Sequence, residues 1–203
     1  YMSESLYRFQ LSITYLFDVV DYTLIDNGIY AYTMKNIGDF IDHVMKDDEY
    51  VRTIQVYVQG TEGESIESRL ERGKTISEHL RSIDDYEQRL EAMSGYIGSV
   101  ENGDFVDVSG NGFYFLRGLQ DQAYEDVAFS LKIGEVSEAF ESNGAVFVLM
   151  RLPLEEDYVS LHCAELLEDW QNVKYELYMN QFRESCTIDL TEYGKSIDLV
   201  AMK

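Results

Sequence analysis

One stretch of the 203-residue chain, residues 111–137, constrains the fold more than any other. It opens with an aromatic run, Phe113–Leu116, whose residue types favour a buried strand. After an Arg-Gly pair, apolar residues recur at the three- and four-residue spacing of a helix. Asp121 suits the N-cap of this helix, Lys132 its last turn, and Gly134 the left-handed position that follows it. The stretch therefore predicts a strand, a turn, a helix and a second turn.

The segments on both sides have patterns of their own. Residues 51–58 alternate, with Gln55 on the more polar face, and predict a strand. Residues 145–152 form an apolar run that predicts a central strand, closed by the chain's only proline, Pro153. The spacing of apolar residues predicts helices over residues 3–25, 32–45, 64–72, 74–93 and 155–185, and shorter strand-like pieces lie at residues 105–106, 188–190 and 197–200.

Composition excludes several classes of function. Hydrophobic residues make up 45% of the chain and aromatic residues 13%, which argues against a disordered protein. The net charge of −22 disfavours binding to nucleic acid or to anionic lipid surfaces. We interpret it first as a solvated acidic surface without a partner, and the alternative is attraction of basic clients. Continuous helix between Cys163 and Cys186 would hold them about 30 Å apart, so we expect no intrachain disulfide. No phosphate-binding loop, dinucleotide fingerprint or zinc-protease motif is present.

The central stretch resembles the parvulin family of peptidyl-prolyl isomerases. The residues that carry the resemblance are Tyr114, Phe115, Arg117 and Gly118, then YEDVAF at residues 124–129 and LKIGEVS at residues 131–137. The resemblance implies an α+β fold, in which a small antiparallel sheet is flanked by helices. The order of elements is similar to that of PrsA-like extracytoplasmic foldases, where such a domain is inserted into a helical lobe built from both chain ends. The expected divisions are residues 1–48, 49–153 and 154–203.

The resemblance also implies where a site would lie. Active parvulins carry two histidines on adjacent central strands, and here Gln55 and Phe147 stand at those positions. The residues that correspond to the substrate-binding pocket are Tyr114, Leu119 or Gln120, Tyr124 and Phe129. Asp104 and Asp107 are candidates for the family's Cys or Asp near the amide. For the aromatic residues the alternative interpretation is ordinary core packing.

Peptide-bond isomerisation demands little chemistry. The rotation barrier is about 18–20 kcal/mol because amide resonance is lost at the midpoint, and no bond is broken. Neither a nucleophile, a metal nor a cofactor is needed, so the expected site is an aromatic cup with a few polar groups. His43, His79 and His162 fall on predicted helices, with no nucleophile or ligand set beside them. We interpret them as ordinary helix-side histidines.

The expected function is that of an extracytoplasmic folding factor with weakened or absent catalysis. Its partners would be unfolded or proline-containing polypeptides. The resemblance further implies a Gram-positive lipoprotein, anchored through a cysteine outside these residues. The first alternative is a non-catalytic chaperone or peptide-binding module on a degenerate parvulin fold. The second is a structural surface protein in which the domain has no binding role.

Overall fold

The structure is a computed structural model of the chain. It describes residues 31–46, 49–60, 62–96, 105–106 and 112–185, with the backbone alone at 105–106, and six positions between residues 4 and 14. The chain divides into two compact units, Tyr30–Val173 and the two ends Tyr1–Ile29 with Lys174–Lys203. The predicted helix over residues 3–25 lies largely outside the described residues. The predicted pieces at residues 188–190 and 197–200 and Cys186 lie wholly outside them.

The described part of the chain contains six helices and five strands. In chain order the described elements are α1 (Ile37–Lys46), β1 (Tyr50–Val58), α2 (Ile66–Arg81), α3 (Tyr86–Gly95), β2 (Phe105–Val106), β3 (Phe113–Leu116), α4 (Gln122–Ser130), β4 (Phe140–Ser142), β5 (Ala145–Leu152), α5 (Glu156–Leu161) and α6 (Cys163–Ser185). None of the helices described combines the length and apolar character needed to cross a membrane.

Strand β1 is the centre of the sheet. One edge of β1 pairs with β3 near its start and with β2 near its end, while its other edge pairs with β5 over residues 52–58. Strand β4 adds outside β5, and every pairing is antiparallel. An antiparallel sheet flanked by helices confirms the predicted α+β class.

The alternation of β1 separates two layers of core. Ile54, Val56 and Val58 are buried against α2 and α3, in a cluster that includes Leu80 and Met93. The opposite face packs against α4, where Val51 and Leu149 join buried residues of that helix. The face of the sheet that carries α4 is therefore the face on which Gln55 lies, as the alternation predicts.

A third cluster lies at the end of the sheet where β1 begins. Phe40 and Val44 of α1 pack there on Val159 of α5 and Trp170 of α6. The Tyr50 phenol donates to the Leu166 carbonyl at 2.7 Å within this cluster. Burial raises the pKa of that phenol well above its ordinary value, and nearby carboxylates add to the shift.

Three predicted helix divisions are wrong. The predicted helix over residues 74–93 is interrupted, because α2 ends at Arg81 and α3 begins at Tyr86 after its N-cap Asp85. The pattern suggests separate helices before and after Gly73, but α2 runs through that residue from its N-cap Ser65 to Arg81. Gly73 is buried against β1, β5 and the residue before β4, where an added Cβ would lie 2.8 Å from the Cβ of Ala139. The glycine therefore serves close packing inside a helix. Conversely, the predicted helix over residues 155–185 is divided at His162, whose backbone leaves the helical region while its ring stacks on Tyr158.

The prediction for the end of α4 is also corrected. The helix ends at Ser130, so Lys132 lies beyond its last turn. Leu131 is extended, and its side chain is buried in the cluster beneath α4. Gly134 has the left-handed φ of +81° that the sequence suggests, but in a turn three residues after Leu131.

Candidate functional site

An open cleft of about 270 Å³ lies on the α4 face of the sheet. Its walls come from β1, β3, β4, β5 and α4 and from the turns beside them. The lining residues are Gln55, Phe113, Phe115, Gln120, Asp121, Tyr124, Ser142, Asn143, Ala145 and Phe147. All of them belong to the unit Tyr30–Val173, so one compact body forms the whole cleft.

The register of β1 and β5 places Gln55 and Phe147 together. Gln55 lies opposite Leu149, and Tyr57 opposite Phe147, so the four side chains share one face of the sheet. Tyr124 reaches them from α4 and donates its hydroxyl proton to Gln55 Oε1 at 2.9 Å. The same phenol lies 3.4 Å from the hydroxyl of the fully buried Thr53. A series of polar contacts therefore leads from Thr53 in the core, through the Tyr124 hydroxyl, to Gln55 at the cleft.

Aromatic rings form the floor and walls. The Phe147 ring stands perpendicular to the Tyr124 ring with centroids 5.4 Å apart, an edge-to-face contact. The Phe115 ring is tilted against the Tyr124 ring, with centroids 5.6 Å apart. Tyr124 is only 7% exposed, whereas Phe113 at the mouth is 42% exposed. The cleft is thus open to solvent above a well-packed aromatic floor.

The rim is polar, and the turn before α4 supplies much of it. Asp121 precedes α4 as predicted, but its side chain makes no capping hydrogen bond. Instead, Asp121 Oδ2 accepts a hydrogen bond from Ser142 Oγ at 2.8 Å. The buried carboxylate of Glu125 accepts from the backbone N–H groups of Gly118 at 2.7 Å and Gln120 at 2.9 Å. Glu125 therefore fixes the turn that presents Gln120 and Asp121 to the cleft.

The hairpin between β4 and β5 completes the rim. Asn143 and Gly144 both have positive φ values, 51° and 77°, as type I′ turns require. The strand at residues 140–142 was not predicted, although an Asn-Gly pair before an apolar run is a strong hairpin signal. That pair is the signal that could have placed Ser142 and Asn143 beside the cleft.

The residues that the resemblance implies are partly brought together. Gln55, Gln120, Tyr124 and Phe147 line the cleft. Tyr114 lies on the opposite face of the sheet, because β3 alternates and its neighbours Phe113 and Phe115 face the cleft.

The other implied residues lie outside the lining. Leu119 is 37% exposed in the turn before α4. Phe129 packs against Phe115 at 5.9 Å and lies beneath the Arg117 guanidinium at 4.1 Å. Asp104 and Asp107 are outside the described residues.

The three histidines of the chain lie away from the cleft. His43 stacks on Tyr32 at 5.2 Å and hydrogen-bonds Glu49 at 3.1 Å, which makes it part of the α1 cluster. His79 hydrogen-bonds a tyrosine hydroxyl at 2.7 Å, and His162 a glutamate at 3.2 Å. The part of the chain that the structure describes contains no group of three or more His, Cys, Asp or Glu side chains able to hold a metal ion.

Comparison with known proteins gives structural neighbours only. No protein-family model matches the sequence. No curated protein gives a significant match. Among solved structures, PrsA of Bacillus cereus, a peptidylprolyl isomerase, has 16% identity and a TM-score of 0.44 over 95% of this chain and 66% of that one. PrsA of Bacillus subtilis has 16% identity and a TM-score of 0.38 over 94% and 72%.

A third neighbour comes from Campylobacter jejuni. It belongs to a pair described as SurA-like chaperones, the virulence factor PEB4 and the periplasmic protein Cj1289. The identity is 14% and the TM-score 0.36, over 93% of this chain and 76% of that one. These neighbours are PrsA and SurA-like proteins. The identities and TM-scores describe a distant likeness in fold alone.

Proposed function

We propose that this chain is a PrsA-like folding factor whose cleft binds unfolded or proline-containing polypeptide. The observation that carries the proposal is an open cleft with aromatic walls at the place where the parvulin motifs imply a binding pocket. Phe113, Tyr124 and Phe147 supply apolar surface against which a proline ring or another apolar side chain can pack. An extended polypeptide is the ligand that fits such an open, partly polar groove.

Gln55 provides a directional contact in this proposal. Its carboxamide oxygen accepts from the Tyr124 phenol, and its NH₂ group keeps two N–H donors. Gln55 is half-buried at the cleft. The amide would donate to a backbone carbonyl of the bound segment. The bound segment would thus be held by apolar contacts on its side chain and by a hydrogen bond on its backbone.

We further propose that catalysis of isomerisation is weakened or absent. Gln55 and Phe147 stand where the resemblance implies imidazoles, and the described lining residues include no histidine. A phenylalanine can exclude water and grip a ring, but it cannot exchange hydrogen bonds as the amide twists. The same cleft fits the alternative of a non-catalytic chaperone. Extracytoplasmic location and a lipid anchor are part of the proposal on the resemblance alone.

The experiment pairs a binding measurement with an isomerase assay. Titration of the isotope-labelled chain with a prolyl tetrapeptide should shift amide resonances around Gln55, Tyr124 and Phe147. Phe147→Ala should weaken that binding, whereas Ile133→Ala, which truncates a side chain that is 63% exposed and outside the cleft, should not.

A protease-coupled assay with the same peptide separates the two forms of the proposal. A cis-to-trans rate equal to the uncatalysed rate supports the non-catalytic chaperone. An accelerated rate that Gln55→Ala removes supports residual catalysis. If no peptide shifts these resonances, or if Phe147→Ala binds as well as the parent chain, the cleft is not a polypeptide site and the proposal is wrong.

A further inference from the structure

The Asp121 side chain makes an unusual hydrogen bond for the residue before a helix. Residues at this position commonly accept a hydrogen bond from the first helical N–H groups, and Asp121 does not. Its carboxylate lines the cleft instead and is held there by the Ser142 hydroxyl at 2.8 Å. Ser142 is itself 5% exposed, so the bond is anchored in the hairpin. The carboxylate is therefore fixed next to the aromatic walls.

No cation of the described residues neutralises this charge. The lining of the cleft contains no Lys or Arg, and Asp121 forms no ion pair with a described residue. Arg117, which is near in sequence, lies over Phe129 and pairs with Asp126 at 4.0 Å. Residues 97–111, which precede β3, contain three acidic residues and no Lys or Arg. The chain as a whole carries a net charge of −22.

We propose that Asp121 makes the cleft selective for polypeptides that carry Lys or Arg within two residues of the proline or apolar residue held against Tyr124 and Phe147. This inference rests on the proposed function and specifies the chemistry of the client. An extended chain advances about 3.3 Å per residue, so a neighbouring side chain can reach the rim while its apolar neighbour occupies the floor. Asp121 is exposed at the rim, and the Ser142 hydroxyl at 2.8 Å holds its carboxylate in place, so an incoming cation meets a partner that is already positioned.

The test uses a set of proline peptides that differ at one position. Lys, Gln or Glu is placed in turn at each of the two positions before and the two positions after the proline, and the affinity is measured by resonance titration. At one or more positions the Lys peptide should bind about 2- to 5-fold more tightly than the Gln peptide, as expected for an ion pair with an exposed carboxylate. The Glu peptide should bind more weakly than the Gln peptide, and added salt should reduce both differences.

Two matched variants assign the effect to Asp121. Asp121→Asn keeps the shape and the acceptor for Ser142 but removes the charge, so the Lys and Gln peptides should bind equally well. Asp126→Asn removes a carboxylate charge from α4, outside the cleft and five residues further along the chain, and the Lys preference should persist. Unchanged Lys preference in Asp121→Asn, or no Lys preference in the parent chain, would overturn the inference.

The outcomes also separate this inference from the proposed function. If the Gln peptide binds, Phe147→Ala weakens that binding and Lys brings no gain, the cleft is a polypeptide site without charge selectivity. In that case only the role of Asp121 is wrong. If none of the peptides binds, the proposed function and the selectivity are both wrong.

Discussion

The hydrogen bond between Tyr124 and Gln55 links the aromatic floor to the polar chemistry of the cleft, and a double-mutant cycle tests it. Tyr124→Phe removes the hydroxyl that donates to Gln55 Oε1 at 2.9 Å and keeps the ring that contacts Phe147 at 5.4 Å. Gln55→Leu removes the acceptor and keeps a side chain of similar volume. The double variant removes the hydrogen bond without leaving either group unpaired.

The magnitude follows from what each variant leaves behind. Either single variant should lower the free energy of unfolding by at least about 1 kcal/mol, the net contribution of a typical hydrogen bond. For Gln55→Leu the loss should stay near this value, because the phenol keeps the Thr53 hydroxyl at 3.4 Å as a partner. Tyr124→Phe also removes that contact from the fully buried Thr53, so its loss should be the larger of the two, about 1–3 kcal/mol. The loss in the double variant should fall short of the sum of the single losses by about 1 kcal/mol. For a domain of this size, that energy corresponds to about 2–4 °C in Tm.

Thermal unfolding of the four proteins, followed by circular dichroism, measures this coupling. Tyr158→Phe is the control, because the Tyr158 ring stacks on Tyr114 at 4.1 Å on the other side of the sheet. Its hydroxyl makes no hydrogen bond to the described residues, so its removal should leave Tm unchanged. Losses that add to within about 0.4 kcal/mol would refute the pairing of phenol and amide.

Two further expectations concern packing and charge. Gly73→Ala should lower stability by about 1–3 kcal/mol, because the clash at 2.8 Å with Ala139 outweighs the gain of about 1 kcal/mol that alanine brings to a helix. Gly38→Ala, where an added Cβ meets nothing within 4 Å, is the control and should not destabilise in chemical denaturation. Burial raises the pKa of Asp169, and two neighbouring glutamates add to the shift. At a pH above the raised pKa, the ionised Asp169 carboxylate therefore lowers the free energy of unfolding. Asp169→Asn should therefore raise Tm at pH 7, and the gain should shrink as pH falls through the raised pKa towards 3.8, the ordinary value. A gain that is independent of pH, or one matched by Glu176→Gln at an exposed position of α6, would contradict this cause.

The strands are the part of the fold that sequence reasoning can best predict, because alternation and apolar runs report burial directly. Strand β1 is found within one residue of its predicted start, and β5 over the predicted range. Helix boundaries fail where tertiary contacts decide them. Nothing in the local sequence reveals that Gly73 lies against Ala139, so a residue that usually weakens a helix suggests a break that does not exist.

The candidate site is predictable only in part, for a similar reason. Gln55 and Phe147 are placed by the register of two long strands, which the patterns define well. Tyr114 and Phe113 differ by one position, and alternation sends them to opposite faces, so an aromatic run alone does not tell which one lines a cleft. The contact between Asp121 and Ser142 joins a helix start to a hairpin and requires the tertiary fold.

Some aromatic residues of the cleft are needed for the folded core and others are not, and only the latter are evidence for a ligand. Tyr124 and Phe115 are 7% and 3% exposed and pack with Leu149, so the core needs them whether or not a ligand binds. Their presence therefore says little about function. Phe113 is 42% exposed and belongs to no core cluster of the described residues, so folding gains little from its ring. The Asp121 side chain likewise does not cap α4 and is bonded to Ser142 of the β4–β5 hairpin. A polypeptide ligand explains these two features of the cleft better than packing does.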